Sequence, residues 1–304
     1  MSITSSRIRA FCENILNNSP CEIGFVDVGS GGALKTPWNF LPDSALKKIN
    51  FEPTQENSGN SFICISNDCL NKNFNVANDE RSSSLHIPSP LFVERFGMHE
   101  MLTNRTINVQ CITLDKYLAE NYKAVDAVDI NVEGHDYQVL QGANTLLTDG
   151  FVKLLKVEFE LAQAWVGQGW FGDIELLMRK YEFDLVDISI DFARPVGVKN
   201  IHLRGEPVWG KAYFMPSLNL LKKNINLLPR EDVRSAGFKY IALAISAGQP
   251  RRALDILSIS GIPYSTEEME KIKVDILNVY KYSRFDAGVN LLCKLVKGVT
   301  GFKG

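Results

Sequence analysis

Two clusters in this 304-residue sequence have residue types and spacings suited to chemistry. The first is Val26-Asp27-Val28-Gly29-Ser30-Gly31-Gly32, an apolar run ending in a glycine turn, with Glu52 closing the next apolar run. Glycines at the carboxyl end of a strand let the backbone approach a ligand and take positive φ. An acid about twenty residues further on can accept both hydroxyls of a ribose. The dinucleotide fingerprint GxGxxG would require glycine where Leu34 stands, so a pyrophosphate is poorly served. The pair points to an adenosine-type cofactor; a plain strand–loop turn with a surface glutamate is the alternative.

The second cluster lies on two later strands. Across residues 124–133, Val128, Ile130 and Val132 share one face by period two, and Asp129, Asn131 and Glu133 share the other. Across residues 154–161, Leu155, Val157 and Phe159 alternate with Lys156, Glu158 and Glu160. Polar side chains on a buried strand need partners or a wet cleft, because unpaired burial costs roughly 2–7 kcal/mol each. One shared polar pocket satisfies both strands; a solvated edge strand is the other reading. Gly134-His135-Asp136 follows at once. An imidazole there is suited to take a proton from a hydroxyl near neutral pH, unless His135 or Asp136 merely caps the next helix. His86, His99 and His202 are scattered, and no HxH or HExxH spacing occurs, so no metal is expected. A carboxylate site from Asp129, Glu133 and Glu158 is the metal alternative. Trp165, Trp170 and Phe171, among Gly167, Gly169 and Gly172, could stack on sugar faces or simply pack a helix start.

The elements that must position these residues follow from periodicity. A first helix places Ile8, Phe11, Ile15 and Leu16 on one face, with Ser5 or Ser6 as N-cap. Strands are predicted at 22–28, 49–53, 62–66, 106–112 (edge-type), 124–132, 151–161, 183–190 and 207–215. Helices are predicted at 42–49, 113–121, 135–147 and 173–181, and residues 67–98 read as an irregular lid or surface loop. Strands alternating with helices argue for a doubly wound, mostly parallel α/β sheet. After residue 216 helical periodicity takes over (219–228, 232–247, 251–259, 266–280, 286–297). The expected organisation is an N-terminal helix (1–21), a Rossmann-like domain (22–216) and a C-terminal helical subdomain (217–304).

Composition sets the outer limits. At 45% hydrophobic and 22% charged residues the chain has the balance of a globular protein, and no apolar run reaches the length of a membrane span. A net charge of -2 gives no pull toward nucleic acid. Six cysteines without CxxC spacing, and a start unlike a secretory signal, suggest reduced thiols and a cytoplasmic protein. The tail sets Lys281, Arg284, Lys294, Lys297 and Lys303 beside Leu291, Leu292, Leu295 and Val296. Such a helix can lie on a membrane surface, dock on its own domain or join two protomers.

The ordered series FVDVGSGGALKTPW, FEP at 51–53, SSSL at 82–85, CITLDKYL at 111–118, VDAVDINVEGHDYQVLQGA at 125–143 and VEFELAQAWVGQGWFGDIELLMRKYEFDLVDI at 157–188 resembles FkbM-type methyltransferases. The resemblance covers residues 22–215. It implies a class I methyltransferase fold, S-adenosylmethionine as cofactor, and O-methylation of a sugar or polyketide hydroxyl. By position it implies that Asp27, Gly29 and Gly31 frame the cofactor's methionine part, that Glu52 holds its ribose, and that Asn67 lies near the adenine. Ser30, within the same turn, and Asp129, where the family usually has a lysine or apolar residue, are also expected to bind the cofactor. It puts Glu158, Ser84 and Trp165 on the substrate side and His135, Glu133 and Asn131 at the chemistry. Asn131 stands where the family usually has aspartate, and an amide cannot act as a base. Proton acceptance therefore passes to Glu133, His135 or Asp136. The same departure frames a rival: a silent cofactor-binding module acting through its helical tail. A nicotinamide-dependent enzyme is disfavoured by Leu34.

Overall fold

Short apolar runs rich in valine, isoleucine and phenylalanine become the central strands, and the rest is arranged around them. In chain order the elements are α1 (Ile3–Asn17), β1 (Ile23–Val28), β2 (Leu46–Phe51), β3 (Cys64–Ile65), β4 (Asn71–Ala77), β5 (Ile87–Pro88), α2 (Pro90–Phe96), β6 (Thr103–Ile112) and α3 (Leu114–Asn121). There follow β7 (Ala127–Ile130), α4 (Asp136–Gln141), α5 (Asn144–Asp149), β8 (Leu154–Glu160), β9 (Trp165–Val166), α6 (Phe171–Lys180), β10 (Phe183–Ala193) and β11 (Glu206–Pro216). Helices α7 (Leu218–Leu227), α8 (Arg230–Ser246), α9 (Pro250–Leu257) and α10 (Thr266–Val279) complete the series. The computed structural model describes residues 3–17, 21–29, 34–53, 63–121, 124–149, 151–198, 204–259 and 261–281. The predicted segment 286–297 lies outside them.

The main sheet runs β10-β11-β8-β7-β1-β2. β1 is parallel to β2 and β7, and β7 to β8. β11 is antiparallel to both of its neighbours, so it alone runs against the other strands. Chain order reverses at β1, which places the ligand crevice of such a sheet beyond the carboxyl ends of β1 and β7.

The two faces differ. One is apolar along its whole length: Val26, Val28, Val128, Ile130, Leu155 and Val157 pack with Leu114, Val139, Leu147, Ile174 and Met178 from the helices α3–α6. The other begins apolar at the amino ends of the strands, where Ile23, Phe25, Ala127 and Leu154 share a core with α1, α7, α8, α9 and α10. Toward the carboxyl ends that same face turns polar, carrying Asp27, Asp129, Lys156 and Glu158, all buried. Among the described residues no helix is long and apolar enough to cross a membrane.

Several expectations are corrected. The first helix already begins at Ile3, so Ser5 and Ser6 lie inside it instead of capping it. Residues 42–49 give a single 3-10 turn and then strand β2. The strand at Cys64–Ile65 leaves the main sheet and pairs with β6, which is the middle strand of the sheet β3-β6-β4 and not an edge. Residues 67–98 are ordered by β4, β5 and α2; the asparagines around Phe74 and Val76 disguise β4. The helix predicted at 135–147 breaks at Gly142, where a Cβ would overlap the Ser66 carbonyl oxygen. Asp115 then caps the restarted helix through the Thr145 and Leu146 amides (2.7 and 2.9 Å).

Candidate active site

At the reversal point the backbones of two strands close on each other. The Asn131 amide donates to Val28 O (2.9 Å), and the Gly29 amide to Phe51 O (3.0 Å). Gly29 takes φ 87°, and a Cβ on it would overlap the Asn131 carbonyl oxygen. Glycine is thus required both by conformation and by space. Above this junction opens a cavity of about 570 Å³ whose wall includes Gly29, Lys35, Glu52, Asn131, Glu133 and His135. That volume is in the range of small-molecule and cofactor sites. Its outer wall is the turn 79–83, Glu100 and Phe74, contributed by the small sheet and the segment after it.

The alternating acids of β7 and β8 are resolved in an unforeseen way. The strand register sets Asp129 beside Lys156, and Asp129 Oδ2 accepts from Lys156 Nζ (2.8 Å) and from Trp38 Nε1 (2.7 Å). Asp129 is therefore a buried, neutralised strut behind the cavity. Its Oδ1 and the Oδ1 of Asn131 have no donor among the described residues, and neither does Oε2 of Glu160. Lys156 was visible in the alternation; Trp38 was not, because nothing local links it to a strand 91 positions later.

Beside these orphaned acceptors stands an acidic group. Asp136 accepts the amides of Val132 and Gly134 (both 3.1 Å); burial, then the charge of Glu158, raise its pKa to about 8. Glu133 sits at φ 55°, pinned by Ser84 Oγ, which donates to its carbonyl oxygen (2.7 Å). Burial and the neighbouring Glu158 and Asp136 push the Glu133 carboxyl well above the ordinary range. Burial also raises Glu158 and Glu160. The main compensating cation among the described residues is Lys211 of β11, 3.5 Å from Glu158 and 3.3 Å from Asp191, with lesser help from Lys35 and Lys156.

His135 is held on both sides. Its Nε2 meets Ser66 Oγ (2.9 Å) and its Nδ1 meets His86 Nε2 (3.0 Å). Lys72 Nζ donates to the same Ser66 Oγ (2.8 Å). Burial, with His86 and Lys72 nearby, lowers the His135 pKa to about 3, so the ring is neutral at ordinary pH. Trp165 is buried against Gly134, where a Cβ would overlap its ring.

The sequence-predicted site residues thus divide. Gly29, Glu52, Asn131, Glu133 and His135 come together in the cavity wall. Asp27, Asp129, Glu158, Ser84 and Trp165 are buried polar or aromatic supports. Asn67 lies outside that wall, accepting from Lys72 Nζ (3.3 Å); Ser30 and Gly31 lie outside the described residues. Sequence reasoning missed Lys35, Cys64, Arg81 and Glu100, which carry no motif and reach the wall only through tertiary folding.

A mostly parallel sheet with this order, a glycine-tight reversal point and an acid after its second strand match the arrangement in which α/β folds bind nucleoside cofactors. The family model described as Methyltransferase FkbM domain matches residues 30–185, just over half the chain, and the chain belongs to that methyltransferase family. Its cofactor is S-adenosylmethionine. Among solved structures, magnesium protoporphyrin IX methyltransferase from Synechocystis PCC 6803 with bound SAM is similar at 13% identity and TM-score 0.33, covering 70% of this chain and 79% of that one. At that level of likeness nothing is transferred to individual residues. No curated protein sequence matches the chain significantly. The local chemistry fits the cofactor: its ammonium and sulfonium are cationic, and the cavity wall offers the acids Glu52 and Glu133 and the buried Asn131 Oδ1, an acceptor with no donor among the described residues.

Proposed function

We propose that this methyltransferase transfers its methyl group to a hydroxyl of a carbohydrate or related small-molecule acceptor. When bound, S-adenosylmethionine supplies an activated methyl on a sulfonium. The chain's task is then to align an oxygen with that methyl, exclude water and receive the oxygen's proton. The observation that carries the reading is Glu133: a carboxyl in the cavity wall whose proton affinity is raised by burial and by Glu158 and Asp136, which makes its ionised form the stronger base. His135, with both ring nitrogens engaged, orients the turn beneath Glu133 instead of taking the proton. Asn131 offers an amide to cofactor or acceptor. Arg81, Ser82, Ser83 and Glu100 provide donors and acceptors of the kind a polyhydroxylated acceptor engages.

The test is methyl transfer from labelled S-adenosylmethionine across a panel of hydroxylated acceptors. Glu133→Gln should lower kcat about 10²–10⁴-fold while leaving cofactor affinity in place. Transfer to an amine or thiol acceptor only, or an undiminished rate in the Gln variant, contradicts the reading. Cofactor binding without transfer to any acceptor would favour the silent-module alternative, for which Asn131 in place of a carboxylate is the motivating residue.

A further inference from the structure

Cys64 and Cys111 occupy matched positions on the parallel strands β3 and β6. Neighbouring strands lie about 4.8 Å apart, within the Cα separation that a disulfide spans, and register partners project from the same face. Their thiols are in hydrogen-bond contact. Both are free thiols enclosed by Phe74, Val76 and Val109; Cys64, itself buried, lines the cavity, and Cys111 lies behind it. The thiol hydrogen bond from Cys64, helped by the Lys72 ammonium, lowers the pKa of Cys111. Burial and that same bond raise Cys64. The contact eases ionisation of one thiol of the pair, and a thiolate beside a second thiol is what a two-cysteine oxidation needs.

We propose that Cys64 and Cys111 form an oxidisable dithiol in the cavity wall, a modification site for small peroxides that cofactor occupancy shields. The thiolate of one cysteine attacks one peroxide oxygen, the O–O bond breaks, and hydroxide leaves to take a proton and become water. The resulting sulfenic acid is attacked by the sulfur of the other cysteine, whose proton goes to the departing hydroxide as a second water. Two thiols are oxidised to one disulfide and one peroxide is reduced to two waters. The small size of the oxidant matters, because its path to the pair is the cavity itself. The shielding half of the proposal rests on the cofactor reading above; the dithiol half does not.

The experiment uses the full chain carrying Cys21→Ser, Cys69→Ser and Cys293→Ser. It is treated with hydrogen peroxide, and a non-reduced digest is read by mass spectrometry. A Cys64–Cys111 disulfide should form, revert with dithiothreitol, and be lost in both Cys64→Ser and Cys111→Ser. Saturating S-adenosylmethionine should slow its formation at least about tenfold, and NAD should not. Unreactive thiols, or over-oxidation without a 64–111 linkage, overturns the dithiol. A disulfide that forms equally fast while calorimetry shows bound S-adenosylmethionine overturns the shielding alone. Absence of cofactor binding by calorimetry would instead count against the cofactor reading and leave the dithiol standing.

Discussion

The two ends of the parallel sheet bury the same kinds of residue to opposite effect. At the amino end, Asp126 receives Lys153 Nζ (2.6 Å), Lys239 Nζ (2.8 Å) and the Gly24 amide (2.9 Å). Lysine pairing there outweighs the cost of burial and holds the Asp126 carboxyl below its usual range. At the carboxyl end, Glu133, Asp136, Glu158 and Glu160 converge on too few cations, and burial drives them upward. Orphaned acceptors remain on Asp129, Asn131 and Glu160. A closed polar cluster of the first kind fastens strands to α8. An open one of the second kind has unmet hydrogen-bonding and charge demand, which a cationic ligand answers.

The contrast can be broken at its closed end. Asp126→Ala strands two lysines in or near the core, and removing one partner of a buried ion pair costs about 3–5 kcal/mol. Chemical denaturation should show that loss, with cofactor affinity nearly unchanged in the folded fraction. At the open end, Glu133→Gln should do the reverse, sparing stability and removing turnover. Between the two lies Trp38→Phe, which deletes the indole donor to Asp129 and should cost about 1.5–3 kcal/mol in chemical denaturation.

The smallest effect is a pH slope. Asp136 has a folded pKa of about 8 against an ordinary 3.8. Its stabilising contribution is therefore complete below about pH 4 and is lost as pH rises through about 8. Glu133 and Glu160 act in the same direction. His135, lowered from 6.5 to about 3, works oppositely, its contribution vanishing as pH falls from 6.5 toward 3. Between pH 6.5 and 8 the raised carboxyls outnumber the opposing Cys111 thiol, whose pKa is lowered from 9.0, and the melting temperature should fall as pH rises. Asp136→Asn should flatten that fall by at most about 1.4 kcal/mol per pH unit. A melting curve insensitive to pH in this window would contradict the assigned protonation.

What the sequence made legible follows from how local each signal is. Gly29 and Glu52 were found because turn glycines and strand-end acids mark themselves within a few residues, and Glu133 and His135 because they directly follow an alternating strand. Asp129 was legible as a buried acid but not as a strut, since Trp38 comes from a distant turn and Lys156 from a register that only folding decides. The small sheet was illegible for another reason. β4 carries asparagines at its outward positions, and Cys64–Ile65 is so short that its apolar run reads equally well as a main-sheet strand.

The most direct test is isothermal titration calorimetry with S-adenosylmethionine on the wild type and on Gly29→Ala. Wild-type binding should be saturable, on the order of micromolar, and should be lost in the variant, whose Cβ would collide with the Asn131 carbonyl where the strand order reverses. Undiminished binding by a folded Gly29→Ala protein would contradict the placement of the cofactor site.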